Sequence, residues 1–163
     1  MRDFYDLFVC NEECVAFGQK LGYIKVCFNE LKIERGGTLK LNQKIIRKKG
    51  VQILLDPVTS KAKEFDTAIA QVAKDNGVAI AISLAQILDT QGLDRVRLLK
   101  NLFHVIKICK KMKNDVVLVS GARNIYELRS PRELASIGVL LGLTEAQALW
   151  AISEVPKAIL GIS

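Results

Sequence analysis

An α/β fold with parallel strands is what this chain of 163 residues predicts, and three observations carry that expectation. Residues 51–55, 78–82 and 116–119 are nearly continuous apolar runs, the pattern of strands covered on both faces. Apolar residues recur at helical spacing between those runs, and strand–helix–strand order implies parallel neighbours joined by right-handed crossovers. The last third of the chain reads as helix throughout. A barrel or an open doubly wound sheet satisfies all three.

Taken in order, residues 4–9 and 23–28 are the first two strand candidates. Residues 31–33 are a weaker sixth candidate. Almost no chain separates them from the second strand, whereas a parallel neighbour needs a crossover of about a dozen residues or more. They are therefore expected to form a hairpin or to continue the second strand. A helix carrying Lys40, Lys44, Arg47 and Lys48 on one stripe precedes Gly50. After the strand at residues 51–55, a helical pattern through Phe65, Ile69, Val72 and Ala73 stops at Asn76 and Gly77, a helix-end signal. Beyond residues 78–82, a long helix over residues 93–112 is expected to bury Val96, Leu99, Leu102, Phe103, Ile106 and Cys109 on one face. Residues 116–119 are the last strand.

The helical third is well punctuated. Ser130, Pro131, Arg132 and Glu133 form a capping box with proline at the first helical position. Leu134, Ile137, Leu140 and Leu141 follow at helical spacing, and Gly142 ends that helix. Thr144 to Gln147 is a second capping box, leading into Ala148, Leu149 and Ile152, and Pro156 is expected to separate a short terminal helix. With no internal repeat, low-complexity tract or linker, residues 1–163 are read as one domain.

Composition narrows the functional classes. Hydrophobic residues make up 50% and charged residues 25%, a globular rather than a disordered balance. No apolar run approaches the roughly 18 residues of a membrane span, so no membrane partner is expected. The amino terminus lacks a basic segment and a small-residue cleavage site, which predicts a cytoplasmic protein without a signal peptide. Cys10, Cys14, Cys27 and Cys109 make no Cys-x-x-Cys pair and His104 is the sole histidine, so a structural zinc site lacks its four ligands. The cysteines are read as buried free thiols. A net charge of +7 favours a polyanionic partner.

No phosphate-binding loop is present, and Gly36 and Gly37 alone do not make a dinucleotide fingerprint. Asp56 follows a strand, where α/β proteins place their sites, and is read as a loop-capping residue before a catalytic one. The basic residues say more. Arg97, Lys100, His104, Lys107 and Lys111 recur at steps of three and four, one stripe along the long helix. Lys44 and Lys48 belong to the second stripe. Such faces either keep a protein soluble or neutralise phosphates in a salt-sensitive, sequence-tolerant way. Arg123, Arg129 and Arg132 gather around a strand end at Gly121 and a helix start at Ser130. Either that arrangement binds an anion, or Arg132 pairs locally with Glu133 or Glu127.

Residues 117–122, 128–134 and 137–143, with Ala146, Gln147, Ala148, Ile152, Ser153, Pro156, Ile159 and Leu160, resemble ribonuclease P protein component 3, the thirty-kilodalton subunit family. The likeness is strongest from 120 to 160 and specific from about Val51 onward. It implies a TIM-like barrel related to the polymerase and histidinol phosphatase superfamily but without that superfamily's metal-binding histidines. It also implies a role in the holoenzyme. Ribonuclease P RNA would carry catalysis, with magnesium at that RNA and no cofactor or metal on this chain. The chain would bind and stabilise the RNA alongside protein component 2 and the other ribonuclease P proteins, meeting pre-tRNA indirectly. The family has a further strand–helix unit or two where this chain has only residues 28–31, so an incomplete barrel with fewer than eight strands is expected.

On these grounds the RNA-binding residues are expected to be Arg97, Lys100, Lys107, Lys111, Arg123, Arg129, Arg132, Lys44 and Lys48. Two alternatives remain open. One is a metal-dependent phosphoesterase on the related barrel, using Asp56 and Asp6. The other is a pure assembly protein that docks a partner through the helices after Ser130.

Overall fold

A computed structural model describes residues 2–162. In chain order the elements are β1 (Tyr5–Asp6), α1 (Glu13–Lys20), β2 (Lys25–Val26), β3 (Ile33–Arg35), α2 (Leu39–Ile45) and β4 (Ile53–Leu55). Then come α3 (Thr67–Asp75), β5 (Ala79–Ser83), α4 (Leu84–Leu88), α5 (Gly92–Met112) and β6 (Val116–Val119). A 3-10 turn at Ile125–Glu127 leads to α6 (Pro131–Leu140), α7 (Glu145–Trp150) and α8 (Glu154–Ile159). The class is α/β with six strands among the described residues, fewer than eight. The strands form a two-stranded sheet, β1–β2, and a four-stranded sheet in the order β3–β4–β5–β6. The chain divides into two compact units.

The first unit holds the chain up to Leu31, Ser83–Ala85, and the chain from Val117 on. β1 and β2 pair in parallel, Tyr5 opposite Lys25 and Asp6 opposite Val26, with α1 as the crossover. Gly18 sets how closely α1 lies on β2, because a Cβ there would come within 2.4 Å of Val26 Cγ2. Beyond β1 the chain runs beside the segment that follows β6. Gly121 N–H donates to Phe8 O (2.9 Å) and Cys10 N–H donates to Ala122 O (2.8 Å). Gly138 plays the part on α6 that Gly18 plays on α1, its missing Cβ leaving room for Leu118 Cδ1 at 2.6 Å.

Both capping boxes form. Glu133 accepts from Ser130 N (2.8 Å) and Ser130 Oγ (2.7 Å), while Thr144 and Gln147 exchange bonds of 3.0 and 3.2 Å. The terminal helix differs from expectation. Pro156 lies inside the first turn of α8, where a missing N–H costs no helical bond, so the proline follows the helix start at Glu154 rather than separating it off.

The second unit comprises Lys32–Ile82 and Gln86–Val116. β3 pairs in parallel with β4, Ile33 opposite Ile53, and β4 with β5, Ile53 opposite Ala79. This corrects the reading of residues 31–33 as a hairpin or an extension of the second strand. A long crossover is required only between parallel neighbours in one sheet, whereas β2 and β3 belong to different sheets. β3 meets its parallel partner after a full crossover through α2.

Fully buried Leu54, Ile69, Ile80, Leu98, Leu102 and Val105 make the core of this unit. On α5 the buried face is Leu98, Leu102, Val105, Ile106, Ile108 and Cys109, while Val96 is 62% and Phe103 52% exposed. The expected face was therefore turned about the helix axis. Apolar spacing admitted two overlapping stripes, and packing selected the one through Leu98 and Val105. α3 is capped by Asp66, whose carboxylate accepts from Ile69 N (2.8 Å), and it ends at Asn76 before Gly77 at φ +66°.

Candidate nucleic-acid interface

The long helix presents its cations as the spacing requires. Arg97, Lys100, His104, Lys107 and Lys111 are all exposed on α5, opposite the buried face. Arg97 pairs with Asp94 one turn earlier at 3.4 Å. Lys100, Lys107 and Lys111 make no ion pair or side-chain hydrogen bond among the described residues. They run over about 16 Å of helix axis. On the same side, Phe103 leaves half its surface in water. Helical spacing with Val96, Leu99 and Ile106 predicts a core position for this ring, and the structure instead turns it outward beside the lysines.

Two grooves open beside this face, both within the second unit. The larger, about 600 Å³, is lined by Leu39, Lys63, Phe65, Lys100, Phe103 and Lys107, with Glu64, Asp66 and His104 also on its walls. The smaller, about 250 Å³, is lined by Ser60, Lys61, Lys63, Arg97, Lys100 and Asn101. Lys63, Lys100 and Asn101 border both, so the two adjoin and together make a trough beside α5. Lys61 and Lys63 lie on an irregular segment, where no periodicity in the sequence ties them to the helix stripe.

The second stripe is weaker than its spacing suggested. Lys44 is exposed in the last turn of α2, which ends at Ile45, so Arg47 and Lys48 lie beyond the helix. Arg47 donates to Gln43 O (3.2 Å), and Lys48 is paired with Glu34 on β3. That leaves Lys44 and Lys40 as its cations without a partner among the described residues.

In the first unit the arginines are held locally. Arg123 grips Glu127 through Nε (3.1 Å) and Nη2 (2.8 Å), and its backbone N–H adds a third bond at 2.9 Å. Those bonds hold the Glu127 carboxyl below the usual range. Arg129 donates from Nη1 to Tyr126 O (2.8 Å) and Leu128 O (2.7 Å), and its own carbonyl accepts from the buried Tyr23 hydroxyl (3.0 Å). Glu133 is engaged by Ser130 rather than by an arginine. Arg132 is exposed at a groove it shares with Arg2, Phe4, Val139, Glu145 and Leu149. Of the three, Arg123 and Arg129 brace the loop before α6.

Carboxylates stand at two strand ends, each within its own unit. Asp6 is the last residue of β1, fully buried, and accepts from Ser120 N (3.1 Å) and Phe8 N (3.3 Å). Burial dominates those bonds and raises its pKa to about 6. Asp56 is 2% exposed, at φ +50°, and its backbone N–H donates to Ala81 O (2.9 Å), with Arg35 Nη2 3.6 Å from its carboxylate. Among the described residues no three His, Cys, Asp or Glu side chains gather closely enough to hold a metal ion. No helix among them is long and apolar enough to cross a membrane. Cys14, Cys27 and Cys109 are buried thiols, and burial pushes Cys27 up to about 11. Cys10 is exposed, contrary to expectation, on the irregular segment between β1 and α1.

Comparison with known proteins gives this geometry a context. The family model described as RNase P subunit p30 matches residues 27–162, a reach well upstream of the Val51 limit read from the motifs. The chain is 36% identical over 128 residues to ribonuclease P protein component 3 of Methanosarcina mazei, covering 78% of this chain and 54% of that protein. The namesake from Thermococcus kodakarensis is 29% identical over 126 residues, covering 77% and 57%. The chain thus spans about half the length of the curated relatives it matches. Among solved structures, a chain in the cryo-EM structure of archaeal ribonuclease P with mature tRNA superposes with TM-score 0.69 at 26% identity, over 79% of this chain and 55% of that one. An amidohydrolase crystal structure matches with TM-score 0.59 at 15% identity, over 91% of this chain and 35% of that one, a likeness of fold.

Proposed function

Because the chain belongs to the RNase P subunit p30 family, we propose that it serves as a protein subunit of ribonuclease P. In this reading it binds and stabilises the catalytic RNA that removes the 5′ leader from pre-tRNA. The observation that carries the reading is the likeness, over 79% of the chain, to a subunit of archaeal ribonuclease P with mature tRNA. The exposed lysines of α5 support it, since sequence-tolerant cations on a rigid helix suit a phosphate backbone. RNA contacts are assigned to Arg97, Lys100, Lys107 and Lys111, with Lys44, Lys48, Arg123, Arg129 and Arg132 as further candidates. Lys48, Arg123 and Arg129 would have to exchange their local partners for phosphate.

Cleavage belongs to the RNA and its magnesium ions. This chain contributes charge and shape, works in the cytoplasm, and meets pre-tRNA indirectly. Its protein partners are ribonuclease P protein component 2 and the other ribonuclease P proteins. Reconstitution of pre-tRNA cleavage from the catalytic RNA and protein component 2, with and without this chain, is the test. Faster or lower-magnesium cleavage on its addition supports the reading. Cleavage indifferent to it, or metal-stimulated hydrolysis by the chain without RNA, overturns it.

A further inference from the structure

We infer that the trough beside α5 is a seat for an unpaired stretch of RNA, with a base stacked on Phe103 and the flanking phosphates on Lys63, Lys100 and Arg97. The inference rests on the proposed RNA-binding role and goes beyond it, from a charged helix face to a site that distinguishes single strand from duplex.

Four observations converge on it. Phe103 leaves 52% of its surface in water, as Leu93 (73%) and Val96 (62%) also do on α5, and it is the aromatic one of the three. Phe103 lines a concavity of about 600 Å³, within the range of small-molecule and cofactor sites. The walls around it are cationic. Lys63, Lys100 and Lys107 border the same groove, and Lys61 and Arg97 line the adjoining one. Finally, Asn101 sits on both grooves with its amide N–H donated to Thr59 O (2.8 Å), which holds the side chain and the neighbouring loop in place. The trough is thus anchored between α5 and residues 59–66 rather than improvised by mobile side chains.

The chemistry selects the ligand. A flat apolar ring flanked by ammonium groups matches a nucleobase flanked by phosphates, and every base has a face that can stack. A-form duplex keeps its bases stacked on one another, so it could reach the lysines but not the ring. The acidic residues on the walls do not oppose this. Asp66 is engaged as the cap of α3, and Glu64 is one carboxylate among five cations.

The test compares fluorescence anisotropy of a labelled oligouridine with that of an RNA duplex of equal phosphate number, using the full chain. The expected result is that Phe103→Ala weakens oligouridine binding by roughly five- to a hundredfold and leaves duplex binding unchanged. Phe103→Trp retains binding, whereas Phe103→Leu, apolar but without an aromatic face, behaves like alanine. Because the ring is half exposed, the thermal melting point serves as the folding control and is expected to stay put. Failure of the chain to bind oligouridine, equal losses for strand and duplex, or full retention by Phe103→Leu would each overturn the inference. Loss of assembly with protein component 2 but not of RNA binding would also overturn it, reassigning the trough to a protein. A chain that stimulates pre-tRNA cleavage although Phe103→Ala leaves oligouridine binding intact would retain the subunit role and lose this site. The opposite pattern would retain the site and lose the role.

Discussion

Replacing Lys100, Lys107 and Lys111 together by alanine isolates the electrostatic contribution of α5. All three are exposed, and none has a carboxylate partner among the described residues, so each is available to displace one counterion from a phosphate. Counterion release gives a slope of log affinity against log salt of about −0.9 per contact on duplex and about −0.7 on single strands. Loss of three contacts should therefore flatten the slope by about 2 to 3. Across a fourfold rise in salt the wild-type chain should lose roughly twenty- to fortyfold more affinity than the variant. Arg97→Ala is expected to do less than a single lysine, because Asp94 at 3.4 Å already offsets its charge. The measurement is a titration of ribonuclease P RNA by anisotropy at several potassium chloride concentrations, with urea midpoints as the folding control. Identical slopes for wild type and triple variant would remove α5 from the interface.

Other predictions concern the fold that holds this face. Asp6 has a folded-state pKa of about 6, raised by burial above the ordinary carboxyl value. Between about pH 4 and 6 the folded chain keeps a proton that the unfolded chain releases, so this stabilising contribution is complete below about pH 4 and is lost as pH rises through 6. It amounts to something on the order of 3 kcal/mol, and Asp6→Asn should flatten stability across that window in urea titrations. An unchanged pH profile would show that Asp6 titrates normally. Leu98→Ala should cost about 2–5 kcal/mol and Val96→Ala less than about 0.5, and equal losses would contradict the assigned buried face of α5. Gly138→Ala should destabilise the chain despite alanine's helix preference of about 1 kcal/mol, because the new methyl meets Leu118 Cδ1 at 2.6 Å and overpacking costs about 1–3 kcal/mol. A gain in melting temperature would show that α6 can move away.

The candidate face is partly legible in the sequence. The cationic stripe of α5 followed from steps of three and four, since a helix places such residues together whatever surrounds it. Phe103 was misplaced for a related reason. Residues 96, 99, 103 and 106 also recur at helical spacing, and periodicity alone cannot say which of two overlapping apolar stripes meets the core. The arginines of residues 123–132 were found, but Arg123 is paired with Glu127 and Arg129 donates to two carbonyls, in a loop without periodicity.

Local rules thus determined much of this protein from its sequence. Both capping boxes and the helix ending at Asn76 depend on neighbours within a few residues, and such neighbours are written in the chain, as is the apolar run of the strand at Val116–Val119. Tertiary structure decided the rest. It placed β3 beside β4 rather than beside β2, turned Phe103 outward, and brought Lys63 to the wall it shares with Lys100. Each of these depends on which distant surfaces exclude water together, and burial is settled by the whole packed unit rather than by any stretch of residues within it.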